Sequence, residues 1–307
     1  MKRLEEIGKK IAALNLWETA AHYNWAIKPR GVAYPYFCSL LKPGNMLAGH
    51  LIMLDGWQTF HDFIMTRCDN SYGFYSSPAE LPHYAMLAAK DGSVSFFRND
   101  TGYLPRIKFS ESEITMLSKI LWEVYGVMMR FENDAGLAMK FAEENAIFSR
   151  IEGPDGVWHD QPLKLVQPRV HIERIALRKD DVAAAKDLPF AKEETLAVDF
   201  RIIPGMHTME PRPRVAYLFA GIDTATGLRV IRHISSVPPD GTLRSLWENL
   251  APRLLRELIA RKHIPGEIQV ISQRLFRMLR PLCTELPFKL SLHDSIPALD
   301  TAFAQKI

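Results

Sequence analysis

Residues 194–203 read ETLAVDFRII, and how this stretch is read decides the fold of the C-terminal third of the chain. It has the make-up of a β-strand with one acidic side chain, Asp199, in its middle. Aspartate is depleted in strands and costly to bury, so Asp199 needs a partner. Two kinds are available. It is the first carboxylate of a metal-dependent phosphoryl-transfer site, or it is held by a neighbour. Side chains alternate along a strand, so Arg201 lies on the same face and is the obvious counter-charge.

Downstream, a Pro/Gly/Met-rich loop (204–213) leads into RVAYLFAGID (214–223), the turn TATG and the returning strand LRVIRHISS (228–236). Asp223 opens that turn, where an aspartate caps its own backbone. A long helix over 242–263 follows, with Leu243, Leu246, Trp247, Leu250, Leu254 and Leu258 on one face and Pro252 expected to kink it. Then come a strand EIQVIS (267–272), a helix QRLFRMLRPLCTEL (273–286), a strand FKLSL (288–292) and a polar tail. The order β-β-β-α-β-α-β predicts a mixed five-stranded sheet with flanking helices. Three antiparallel strands are followed by right-handed crossovers.

Upstream the chain reads as a separate α+β domain over 1–166, joined to the C-terminal domain (194–307) by a connector (167–193) with one strand and one short helix. Leu4, Ile7, Ile11 and Leu14 mark an amphipathic first helix rather than a leader peptide. YPYFCSLL (34–41) and MLAGHLIMLD (46–55) read as a hairpin about KPGN, and GWQTFHDFIMTR (56–67) as a helix. Ser110 and Glu113 form a capping box for a helix over 110–131. GLAMKFAEENA (136–146) reads as a further helix, and 148–165 as a hairpin about Pro-Asp-Gly.

The phrase LAVDF…RVAYLFAGIDTATGLRVIRHI resembles the opening of an integrase core, and the element order resembles the ribonuclease H-like fold. The whole chain is similar to bacterial conserved two-domain proteins of unknown function, through Trp17–Gly56, Gly102–Phe131 and Thr195–Leu299. That resemblance implies a degenerate ribonuclease H-like second domain. In the family's architecture the first acid sits mid-strand, where Asp199 stands, and a second belongs at the end of the fourth strand, where this chain has Ser272.

A two-metal site needs several converging carboxylates. The candidates are Asp199 with Asp294 or Asp300 from the tail, binding Mg²⁺ or Mn²⁺. Ser272 precedes a helical run and suits an N-cap, and Glu267, the acid nearest to it, lies at the start of its strand. A second reading is binding without chemistry. Arg253, Arg256, Arg274, Arg277 and Arg280 would form a basic helix surface able to meet phosphates. His50, Asp55, His61 and Asp62 lack metal-ligand spacing. Walker, GxGxxG, GxSxG and HExxH motifs do not occur.

Among 307 residues, 47% are hydrophobic, 24% are charged and the net charge is +3, values of an ordinary globular chain that by themselves point to neither nucleic acid nor membrane. The three cysteines are widely spaced and odd in number, which fits a reducing compartment. No stretch approaches the roughly 18 apolar residues that cross a bilayer. The expectation is therefore a cytoplasmic, non-catalytic protein with a degenerate ribonuclease H-like domain and no resident cofactor. It would bind nucleic acid or another protein, or recognise a partner through its N-terminal domain. The alternative is a divalent-metal-dependent nuclease or phosphoryl-transfer enzyme.

Overall fold

A computed structural model describes residues 1–14, 16–17, 19, 23–41, 47–67, 81–134, 136–137, 145–166, 175–239 and 241–304. The chain forms two compact units. The first takes in Met1–Arg67, Ser77–Asp100 and Pro105–Arg169, and the second takes in Thr101–Leu104 and Val170–Ile307.

The first unit is built on a mixed seven-stranded sheet. Its strands are β1 (Asn24–Lys28), β2 (Tyr36–Leu41), β3 (Leu47–Asp55), β4 (His83–Ala89), β5 (Val94–Asn99), β6 (Ala146–Glu152) and β7 (Trp158–Lys164), in the order β5-β4-β3-β2-β1-β6-β7. Only β1 and β6 run parallel. Helices α1 (Lys2–Ala13) and α3 (Glu111–Asn133) cover one face. Leu4, Ile7 and Ile11 of α1 and Leu121, Val124 and Met128 of α3 share a core with Trp25, Cys38, Met53 and Met86 of the sheet. The alternation of β2 sends Phe37 to the other face, where it stacks on Phe60 of α2 (Gly56–Arg67) with ring centroids 4.3 Å apart. The capping box of α3 forms as read: Ser110 accepts from the Glu113 backbone N–H, and the Glu113 carboxylate returns to the Ser110 N–H.

Two strands of this unit were not read from the sequence. Residues 24–28 form a strand pairing with both β2 and β6, and residues 83–89 form a second unforeseen strand between β3 and β5. The turn KPGN and most of the helix read over 136–146 lie outside the described residues; Ala146 already belongs to β6.

The second unit holds α4 (Lys179–Lys186), β8 (Phe190–His207), β9 (Val215–Asp223), β10 (Arg229–Ser236), α5 (Leu243–Glu248), α6 (Leu250–Arg261), β11 (Ile264–Val270), α7 (Gln273–Cys283), β12 (Lys289–Leu292) and α8 (Pro297–Ala304). Its mixed sheet runs β10-β9-β8-β11-β12, with β8, β9 and β10 antiparallel and β8, β11 and β12 parallel. Leu196, Val198 and Phe200 of β8 meet Trp247, Leu254, Leu258, Leu275 and Leu279 of the helices on one face. The other face of β8 and β9 is covered by α8, through Leu299 and Ala302 against Ala197 and Ile222. Parts of both stretches that looked irregular in the sequence therefore belong to regular elements. The start of the loop read from 204 is strand as far as His207, and the polar tail is a packed helix.

The helix read over 242–263 is two helices meeting at Asn249. Pro252 has no N–H to donate to the carbonyl four residues back, and its ring crowds that carbonyl. The chain answers by starting a new helix, with Pro252 in its first turn, where no intrahelical donor is needed. Within the stretch read as the connector, Ala185 of α4 is fully buried in this unit's core, and β8 begins at Phe190.

Candidate functional site

The chain leaves the carboxyl end of β8 toward β9, and that of β11 toward β12 through α7. Asp199 and Arg201 project from β8 on the face that α8 covers.

Asp199 is 2% exposed. Its Oδ1 accepts the backbone N–H of Phe200 at 2.8 Å, and its Oδ2 accepts Arg201 Nε. Nη1 of the same guanidinium donates to Asp300 Oδ1 at 2.9 Å, and the guanidinium lies 4.7 Å from the ring centre of Phe303. Both Asp300 and Phe303 are delivered by α8. One cation thus ties the central strand to the last helix. Burial pushes the Asp199 carboxyl above its ordinary range, against the pull of Arg201 and of the Phe200 N–H. Desolvation weighs on Arg201 too, but Asp199 and Asp300 outweigh it and hold the guanidinium above its usual value.

This arrangement suits a divalent metal poorly. Asp199 and Asp300 do come together, but they meet at a guanidinium, which occupies the space between them with a fixed positive charge. Asp294 is exposed in the loop between β12 and α8. Ser272 caps α7, accepting the Leu275 backbone N–H at 3.2 Å, as its place in the sequence predicted. Glu267 engages Ser291 at 2.7 Å and Lys289 at 3.1 Å, and the Ser291 bond leads the causes that lower its carboxyl. Among the described residues no three His, Cys, Asp or Glu side chains gather as metal ligands.

The basic helix surface is corrected in part. Arg274 is 3% exposed, with its guanidinium 3.7 Å from the ring centre of Trp247, so it belongs to the core and not to a phosphate-binding face. Arg277 is half-buried and Arg280 exposed. Three residues of α-helix turn the direction back by about 60°. A three-residue repeat therefore walks from the buried side to the open one. Arg253 pairs with Glu257 at 2.7 Å, and Arg256 is exposed on the same helix.

Two polar clusters escaped the sequence reading. Ser291 Oγ lies 2.7 Å from Glu267 and 3.0 Å from His293 Nε2, on the side of β11 and β12 away from α6 and α7. Glu194 bonds both Arg261 and His263, the latter at 2.5 Å. The alternation of Lys289, Ser291 and His293 was a signal for the first. The second joins residues about 70 positions apart and left no local sign.

Residues 181–305 match a family described as a domain of unknown function (DUF6930), a span reaching from α4 to the end of α8. No curated protein and no solved structure matches the chain.

Proposed function

We propose that the second unit is a ribonuclease H-like domain that has kept the fold and lost the metal-dependent chemistry, and that it serves as a binding or accessory module. Support comes from the strand order, with the acid-bearing β8 central and antiparallel to β9 but parallel to β11. The observation that carries the reading is the Arg201 guanidinium between Asp199 and Asp300. Two-metal catalysis places cations among such carboxylates, and here the protein supplies its own. No resident cofactor is needed. A protein partner fits better than nucleic acid. Arg274 is buried on Trp247 and Arg253 is paired, which leaves few open cations to meet phosphates.

A second reading keeps the enzyme, with Mg²⁺ or Mn²⁺ held by Asp199 and Asp300 once Arg201 swings aside. The convergence of those two acids on one side chain favours it over any use of Asp294.

Calorimetric titration of the full chain with Mn²⁺, alongside a nuclease assay on single- and double-stranded oligonucleotides, separates the two. The expected result is no saturable binding at millimolar Mn²⁺ and no cleavage. Stoichiometric binding that disappears in Asp199→Asn, accompanied by cleavage, overturns the proposal.

A further inference from the structure

The second unit contains a short segment from the middle of the chain. Thr101–Leu104 belongs to it, whereas the residues on either side belong to the first unit. Tyr103 forms an antiparallel bridge with Arg214. The Val215 N–H donates to the Gly102 carbonyl at 3.0 Å, and the Leu104 N–H donates to the Pro213 carbonyl at 3.0 Å. The Arg212 guanidinium lies 4.0 Å from the centre of the Tyr103 ring.

The edge that receives this segment is braced from behind. Arg214 bonds Glu210 through two nitrogens and gives Nη1 to the Val237 carbonyl at 2.5 Å. Its backbone N–H donates to Thr208 Oγ1 and its carbonyl accepts the Thr208 N–H, each at 3.0 Å. The 213–215 edge is thus held from its own unit, and the segment pairs with it through one antiparallel bridge.

Selection at the contact is steric. Gly102 has φ +81°, a conformation that favours glycine, and a Cβ there would overlap the side chain of Val237. An aromatic residue under Arg212 comes next, then an N–H aimed at Pro213.

We propose that Pro213–Val215 with Val237 forms an extended-peptide recognition edge, and that Gly102–Leu104 is its ligand in cis. Strand addition of this kind draws affinity from main-chain bonds and selectivity from alternate side chains. A ligand tethered by a short chain is present at an effective concentration on the order of millimolar. The closed strap therefore outcompetes any free peptide of similar sequence unless it is released. This inference is independent of whether the second unit is ribonuclease H-like.

The probe is a fluorescent peptide of residues 99–108, NDTGYLPRIK, titrated by anisotropy into the full chain. Gly102→Val ejects the strap and leaves the edge intact. That variant should bind the peptide saturably below about 1 mM, at least tenfold tighter than wild type does. The same peptide carrying valine at the glycine position should not bind. A folded Gly102→Val protein that ignores the peptide at millimolar concentration overturns the proposal, as does equal binding by wild type.

If Gly102→Val does not fold, Tyr103→Ala takes its place, and hydrogen exchange of the wild-type protein adds a second measurement. The Leu104 and Val215 amides should be protected, yet should open more readily than the centre of β9. Exchange at the unprotected rate, or only on global unfolding, rejects a releasable strap.

Discussion

Arg201 is the residue on which the second unit's polar interior depends, because it is the cation paired with Asp199, a carboxylate that is 2% exposed. Removing one partner of a buried pair strands the other, at a cost of about 3–5 kcal/mol where both are enclosed. Arg201 is itself about one-third exposed, so Arg201→Met is expected to lose roughly 2–3 kcal/mol at pH 7. The pH dependence has a definite sign. Asp199 already titrates above its ordinary value when folded, and losing Arg201 raises it further. The folded variant then binds its proton more tightly than the unfolded chain does, so its deficit against wild type shrinks as pH falls toward 4. Urea melts of both proteins at pH 7.5 and 4.5 read this directly, and a deficit that grows on acidification rules the stranded carboxylate out. The pairing was legible in the sequence because two residues of a strand share a face whatever the tertiary structure does. The third member, Asp300, was named for another role; its contact with Arg201 spans 99 positions, and no local pattern announces it. Arg274 was misplaced because a cation on a helix suggests solvent, and only the position of Trp247 in space shows otherwise.

Elements whose ends are set by local chemistry were legible, and those set by pairing partners were not. Helix α3 carried its own start signal in Ser110 and Glu113, and β9 and β10 carried their turn in Asp223, whose carboxylate accepts the Ala225 and Thr226 N–H groups. Strands β1 and β4 carried no such punctuation. Each exists because a neighbour on either side satisfies its backbone. Pairing also explains why two glycines of similar local appearance should respond oppositely to alanine. Gly266 sits in the irregular step between β8 and β11, where a Cβ would overlap the Lys192 carbonyl. Gly266→Ala must therefore move a strand and should cost about 3 kcal/mol. Gly126 lies inside α3 with nothing within 4 Å of a Cβ position. Gly126→Ala should stabilise by roughly 0.5–1 kcal/mol through helix propensity alone. Denaturant midpoints of the two variants must move in opposite directions; a loss of stability in both would mean that the α3 position is not open.

At the scale of the molecule, two units with separate cores should answer separately to perturbations placed in each. In the sequence the chain divides at a connector marked by more charge and two prolines, but nothing there marks the strap, since Thr101–Leu104 lies deep within the first unit's sequence. The first unit holds two histidines on the α2 side of its sheet, His50 on β3 and His83 on β4, each near Phe97. Burial, with a smaller contribution from His83, lowers His50 to about 4, and burial likewise lowers His83. Their stabilising effect is complete above the unfolded value near 6.5 and is lost as pH falls from there toward 4. For His50 alone this removes up to about 2 kcal/mol between pH 8 and pH 5. Arg201→Met, by contrast, acts on the second unit. Pulse-labelling hydrogen exchange across a urea series resolves α3 peptides from β8 peptides in one sample. Acidification to pH 5 should lower the α3 midpoint more than the β8 midpoint, and His50→Gln should flatten that response. Arg201→Met at pH 8 should lower the β8 midpoint and leave α3 in place. If both sets of peptides move together under both perturbations, the two cores unfold as one cooperative body.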